Sequence, residues 1–146
     1  MFRIVYVSSA SKYFDVSEVE SMLDLAREKN GRIGITGMLL YKDGNFMQCL
    51  EGEEAIVTKL ANTIQNDPRH TGFLVLMRGP ADRRLFPNTP MGFHDLGADP
   101  PTNHPGYTDF IDSPLTRSTF SLDPSRCINL LSLFSPQSDP PSPAQL

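Results

Sequence analysis

A phenol, a hydroxyl and two carboxamides stand out in this chain: Tyr6, Ser8, Asn30 and Gln48. Gln48 is the most telling of them. It sits in the run Phe46-Met47-Gln48-Cys49-Leu50, which reads as one arm of a β-hairpin. Side chains alternate faces along a strand, so Gln48 points the same way as Phe46 and Leu50, onto a face that should be buried. A buried amide without hydrogen bonds costs about 1–3 kcal/mol, so its oxygen and its nitrogen both need partners, from the protein or from a ligand. Tyr6 and Ser8 share one face of a first strand, and Asn30 stands at the end of a helix. Each has an ordinary reading: a core tyrosine bonded locally, a helix cap, a filler amide bonded to a strand-end carbonyl. Taken together, a phenol and two amides suit a planar heterocycle with carbonyl and ring-nitrogen acceptors, held between two helices.

Other chemistries find little support. Ser8 and Ser9 lie on no nucleophile elbow, and His70, His94 and His104 have no metal-ligand spacing. No glycine-rich loop could cradle a phosphate. Glu51, Glu53 and Glu54 read as negative charge at a helix N-terminus rather than as an acid/base pair. The expectation is a protein that is not an enzyme and holds no metal. A net charge of -4 with scattered Lys and Arg argues against a nucleic-acid surface. Cys49 and Cys127 have no zinc spacing and fit a reduced, cytoplasmic setting. The first residues show no long apolar core or small-residue cleavage pattern and no run nears the ~20 apolar residues a membrane span needs, so the expectation is a soluble protein that is not secreted and has no membrane partner.

The elements that must position these residues follow from periodicity. With 146 residues, 39% hydrophobic and 21% charged, the chain suits one globular domain with an extension. Residues 2–8 alternate as a first, interior strand. Asp15 and Ser17, each three residues before a Glu, signal a helix whose apolar stripe is Val16, Val19, Met22, Leu23 and Ala26. Asn30-Gly31 should end it, with Asn30 as a cap. A hairpin follows, with arms Ile33 to Tyr41 and Asn45 to Glu51 around an Asp43-Gly44 turn. Glu53 and Glu54 open a second helix, with Ile56, Val57, Leu60, Ala61 and Ile64 on its buried face and Asp67-Pro68 as its stop. Phe73 to Met77 reads as a strand buried on both faces, and Met91 to Leu96 as a last, irregular strand. The order predicts an α+β, ferredoxin-like βαββαβ(β) sandwich with two helices on one sheet face. A helix over Ser125 to Phe134, started by Asp123-Pro124, should cover the other. Residues 97–124 read as loop with at most one short helix, and 135–146 as a disordered tail.

Several stretches, in unbroken order over roughly residues 2–96, resemble the BLUF family of blue-light sensors using FAD. They are Tyr6-Val7-Ser8, Asn30, Ile35-Thr36-Gly37-Met38-Leu39-Leu40-Tyr41, Phe46-Met47-Gln48-Cys49-Leu50-Glu51-Gly52, Asp67-Pro68-Arg69-His70, and Arg84-Leu85-Phe86 followed by Met91-Gly92-Phe93. The resemblance implies a non-covalent flavin between the two helices, FAD with FMN or riboflavin as alternatives. It makes Tyr6 the redox-active phenol, Gln48 the amide bridging it to the flavin, Asn30 a partner of the ring's carbonyl and N3 edge, and Met91 the last-strand residue near Gln48. Ser8, Arg69 and His70 complete the cofactor set. It implies signalling by electron and proton transfer from Tyr6 and a rearranged Gln48 hydrogen bond. The family commonly has Trp two residues before the methionine; here Thr89 and Pro90 precede Met91. The 1–96 segment is thus expected to be the sensor, and 97–134 its extension. A protein partner or second copy is expected at the sheet face or the C-terminal segment. The reading that competes is a light-insensitive interaction module on the same fold, while a small hydrolase has no nucleophile to name.

Overall fold

The computed structural model describes residues 1–12, 15–97, 115 and 126–135. Strand β1 (Phe2–Ala10) is buried along most of its length. Helix α1 (Val16–Ile33) starts where the capping signal places it: the Asp15 carboxylate accepts the Glu18 amide at 2.8 Å. Its end differs from expectation. The helix runs past Asn30-Gly31 to Gly34, whose φ of 72° is the left-handed conformation a helix terminus favours and only glycine adopts freely. Asn30 is therefore not a cap; it lies in the last turn with its side chain buried. The hairpin's first arm accordingly starts at Thr36 rather than at Ile33.

Strands β2 (Thr36–Lys42) and β3 (Asn45–Gly52) flank Asp43 and Gly44, both at positive φ (51° and 82°), as a tight two-residue hairpin requires. At Gly37 only glycine fits, because a Cβ there would come within 1.9 Å of the Cys49 carbonyl oxygen. Helix α2 (Glu54–Gln65) ends ahead of Asp67-Pro68. Strand β4 (His70–Pro80) is longer than the apolar run suggested, and β5 (Gly92–Asp95) is short. Helix α3 (Arg126–Ser132) closes the described chain.

The five strands are ordered β4-β1-β3-β2-β5, antiparallel except for the parallel β2–β5 pair. This is the predicted ferredoxin-like sandwich. β4 departs from its reading: it is an edge strand with Val75 36% exposed, not one buried on both faces, because among the described residues only β1 pairs with it. Alternation along β1 and β3 divides the interior into two cores. Ile4, Tyr6, Phe46 and Leu50 pack with Val19 and Leu23 of α1 and Val57 and Ala61 of α2. Val5, Val7, Met47 and Cys49 face the opposite way, against Cys127, Leu130 and Leu131 of α3 and Leu115. The C-terminal helix thus covers the second face as expected. Asp123-Pro124, the 97–124 loop except Gly97 and Leu115, and the 135–146 tail except Ser135 lie outside the described residues.

Candidate functional site

Tyr6 and Gln48 are paired directly in the β1–β3 register, so both project from neighbouring interior strands toward the layer of α1 and α2. There a cleft of about 630 Å³, counting its open mouth, lies between the helices. Val19, Met22, Leu23 and Ala26 of α1, Leu39, Phe46 and Ile64 give it apolar walls; Tyr6, Gln48, Arg69 and His70 supply its polar groups. A flat aromatic ring with a polar edge fits that distribution.

At the floor, three side chains form a chain of hydrogen bonds. The Tyr6 hydroxyl donates to Gln48 Oε1, and Gln48 Nε2 donates to Met91 Sδ at 3.2 Å. All three residues are buried. The arrangement is lopsided, because a thioether is a weak acceptor and the phenol is a good donor. Turning the amide about its last torsion would set its nitrogen against the Tyr6 oxygen, which can accept, but its oxygen against a sulfur that cannot donate. Gln48 therefore has two orientations, and the protein alone favours one by roughly a single hydrogen bond, about 1 kcal/mol. Tyr6 stacks on Phe73 with ring centres 4.4 Å apart. Burial, with the Asp67 charge adding to it, pushes the phenol pKa well above its ordinary value, so Tyr6 stays protonated across the physiological range.

The remaining candidates surround this chain. Ser8 Oγ and His70 Nδ1 are 2.9 Å apart, with His70 tilted against Phe46. Arg69 spans the mouth: its guanidinium pairs with both Asp67 oxygens (3.0 and 2.6 Å) and donates to Met22 Sδ on α1 at 2.8 Å. That pairing holds the Asp67 pKa down, to about 2. Asn30 lies outside the cleft lining, and its Nδ2 donates to the Pro90 carbonyl at 2.9 Å. Two residues escaped the sequence reading. Arg27, given no role in the sequence reading, donates to the Met91 carbonyl at 2.7 Å. Glu51, read as helix N-terminal charge, is instead fully buried at the end of β3; its carboxylate binds Arg3 and accepts the Leu85 and Phe86 amides. Only Glu53 and Glu54 stand at the N-terminus of α2. The spacing of Arg27 and Asn30, one helical turn apart, was the signal available for the first; nothing local marks the second. Among the described residues no group of His, Cys, Asp and Glu could hold a metal ion, and no helix is long and apolar enough to cross a membrane.

The half-buried His70 yields a pH prediction. Burial lowers its pKa, more than the Asp67 charge raises it. The neutral ring is thus favoured in the folded state, so its contribution to stability is present above the unfolded histidine pKa of about 6.5 and is lost as pH falls through the lower folded value. The thermal unfolding midpoint of wild type should fall between pH 7 and 5.5 more steeply than that of His70→Gln. Superimposable pH profiles would remove His70 from the linkage.

The family model for sensors of blue-light using FAD matches residues 1–92. The photoactivated adenylate cyclase subunit beta of Euglena longa is 32% identical over 84 residues, which are 58% of this chain and 10% of that protein. A bacterial light-regulated adenylyl cyclase superposes with a TM-score of 0.73 at 32% identity, over 90% of this chain and 39% of the other. The dark-state structure of BlrB, a BLUF protein, gives the same TM-score of 0.73 at 27% identity, over 91% and 93% of the two chains. The chain thus spans about a tenth of the Euglena longa cyclase subunit but nearly all of BlrB.

Proposed function

The chain belongs to the BLUF family of blue-light sensors, and on that premise we propose that it is a flavin photoreceptor whose switch is the Gln48 amide, set by Tyr6 on one side and Met91 on the other. The observation that carries the reading is the hydrogen-bonded chain Tyr6–Gln48–Met91 at the floor of an apolar cleft between two helices. The family's own description favours FAD over FMN or riboflavin. The walls from α1 and α2 would hold the ring, with Gln48 toward its polar edge and Ser8, Arg69 and His70 toward the mouth; Asn30, whose amide nitrogen is bonded to the Pro90 carbonyl, would reach that edge only by releasing it.

The bound flavin supplies absorption of blue light and an electron-accepting excited state. The protein supplies the rest. Removing an electron from Tyr6 makes its otherwise tightly held phenolic proton strongly acidic, and that proton already lies on a hydrogen bond to Gln48 Oε1. When the electron returns to Tyr6 the proton follows it back from the amide, which can then settle in its other orientation. Met91 cannot donate to the oxygen then turned toward it, so the turned state is held only where a cofactor edge supplies the compensating bonds. The difference is about the worth of one hydrogen bond, roughly 1 kcal/mol, so output depends on biasing a two-state packing rather than on driving a large motion. Met91 leads directly into β5, which borders β2, and α3 covers the sheet face opposite the cleft. Residues 1–96 act as the sensor, and the segment that includes α3 carries the signal to a protein partner or a second copy.

Absorption spectra of the purified protein before and after blue illumination test this. The expected result is a flavin band that shifts to longer wavelength and returns in darkness; chromatography of the released cofactor then identifies FAD, FMN or riboflavin. A colourless chain that no flavin can load would leave the light-insensitive interaction module as the better account.

A further inference from the structure

Three consecutive carbonyls lead into β5, and each is taken by a different donor. The Thr89 oxygen accepts the Gly37 backbone amide at 3.0 Å, the Pro90 oxygen accepts Asn30 Nδ2 at 2.9 Å, and the Met91 oxygen accepts Arg27 Nε at 2.7 Å. Two of these donors are side chains of α1 at i and i+3, on one face of the helix. The bond from Arg27 carries a full charge, and charge-assisted bonds are shorter and stronger than neutral ones. Its guanidinium is oriented in turn by Asp24, at 3.2 Å.

Met91 is consequently gripped at both ends. Its sulfur accepts from Gln48, and its carbonyl accepts from Arg27. Pro90 has no amide hydrogen with which to fix the segment, and Thr89 is too small to wedge it as a large aromatic would. Two of the three donors to this segment come from α1, so that helix carries much of the placing of Met91. The same helix lines the cleft through Val19, Met22, Leu23 and Ala26, so whatever presses on those residues also bears on Met91.

We propose that Arg27 is a positioning residue: from the face of α1 that it shares with Asn30 it holds Met91 against the Gln48 amide and thereby limits how readily that amide turns. The proposal rests on the photosensor reading for its kinetic part and on geometry alone for the link between Arg27 and Met91. Arg27 touches neither the amide nor the cleft, so its effect must pass through Met91.

The test uses the full chain loaded with flavin. Arg27→Met should speed thermal return to the dark spectrum by about threefold or more, because a less confined Met91 obstructs amide rotation less. Arg27→Lys, which can still donate to the carbonyl, should restore most of the wild-type rate. In a Met91→Leu background Arg27→Met should add nothing further. Methyl NMR of labelled methionine, with and without flavin, should show the Met91 resonance displaced in Arg27→Met and returned in Arg27→Lys. An unmoved methyl resonance, or an acceleration of equal size in the Met91→Leu background, would overturn the proposal. A wild-type chain with no photocycle would end the photosensor reading and the kinetic part with it, while the methyl shift still decides whether Arg27 places Met91.

Discussion

Tyr6→Phe is expected to abolish the light-induced red shift while flavin binding persists. The substitution keeps the ring, and with it the stacking on Phe73 and the packing between β1 and the helices. It removes one oxygen and its proton. The electron donor of the proposed reaction is then a phenyl ring, which is far harder to oxidise and has no proton to follow the electron. Gln48 Oε1 also loses its donor at the buried floor of the cleft, and an unpaired buried acceptor costs about 1–3 kcal/mol. The variant should therefore unfold several degrees below wild type yet remain folded at room temperature. Gln48→Leu should give the same spectral loss by a different route, because it leaves the phenol intact and takes away the group that turns. Difference spectra under blue light, read beside the thermal midpoint, separate these effects. A full red shift in either variant would show that the Tyr6–Gln48 contact is packing and not the switch.

How much of this was legible beforehand depends on whether the information is local. Gln48 announced itself because a two-residue period places an amide between Phe46 and Leu50 on a buried face. Its register opposite Tyr6 follows from antiparallel pairing of the first and third strands of a ferredoxin-like order. The same logic separated Val5, Val7, Met47 and Cys49 onto the second face and called for the C-terminal helix that covers it. Asn30 was misread because Asn-Gly is a common helix terminus. The glycine that matters is Gly34, and the choice between the two rests on which turn buries its side chain under the Pro90 carbonyl. β4 was misread because a short apolar run looks alike in an edge strand and in a central one. Edge position is set by the strand order, which no five-residue window contains. Glu51 and Arg27 were the least visible, since each acts on backbone groups more than 30 residues away in sequence.

Glu51→Ala is the substitution from which the largest loss of stability is expected, about 3–5 kcal/mol, the range seen when one partner of a buried ion pair is removed. The carboxylate is fully buried and has four close donors: Arg3 Nε at 3.0 Å and a terminal Arg3 nitrogen at 2.9 Å, with the Leu85 and Phe86 amides at 3.0 Å each. Removing it strands a guanidinium that is itself largely covered and leaves two backbone N–H groups unpaired, one of them in the core beside the fully buried Phe86 ring. Replacing the pair together, as Arg3→Met with Glu51→Leu, should recover only part of the loss. It cures the stranded charge but not the two orphaned amides. The functional consequence follows from connectivity, because residues 84–90 lead directly to Met91. With their anchor on β3 gone, Met91 keeps its α1 contacts through Arg27 and Asn30, the Gly37 bond to Thr89 and the Gln48 bond to its sulfur. The photocycle should then become more sensitive to Arg27→Met in the Glu51→Gln background, where one acceptor oxygen survives and the chain stays folded. Denaturant unfolding monitored by circular dichroism gives the stability terms. If Glu51→Ala unfolds at the wild-type denaturant concentration, the carboxylate is not what ties the segment before β5 to the sheet, and Met91 must owe its place to the α1 contacts and its own burial.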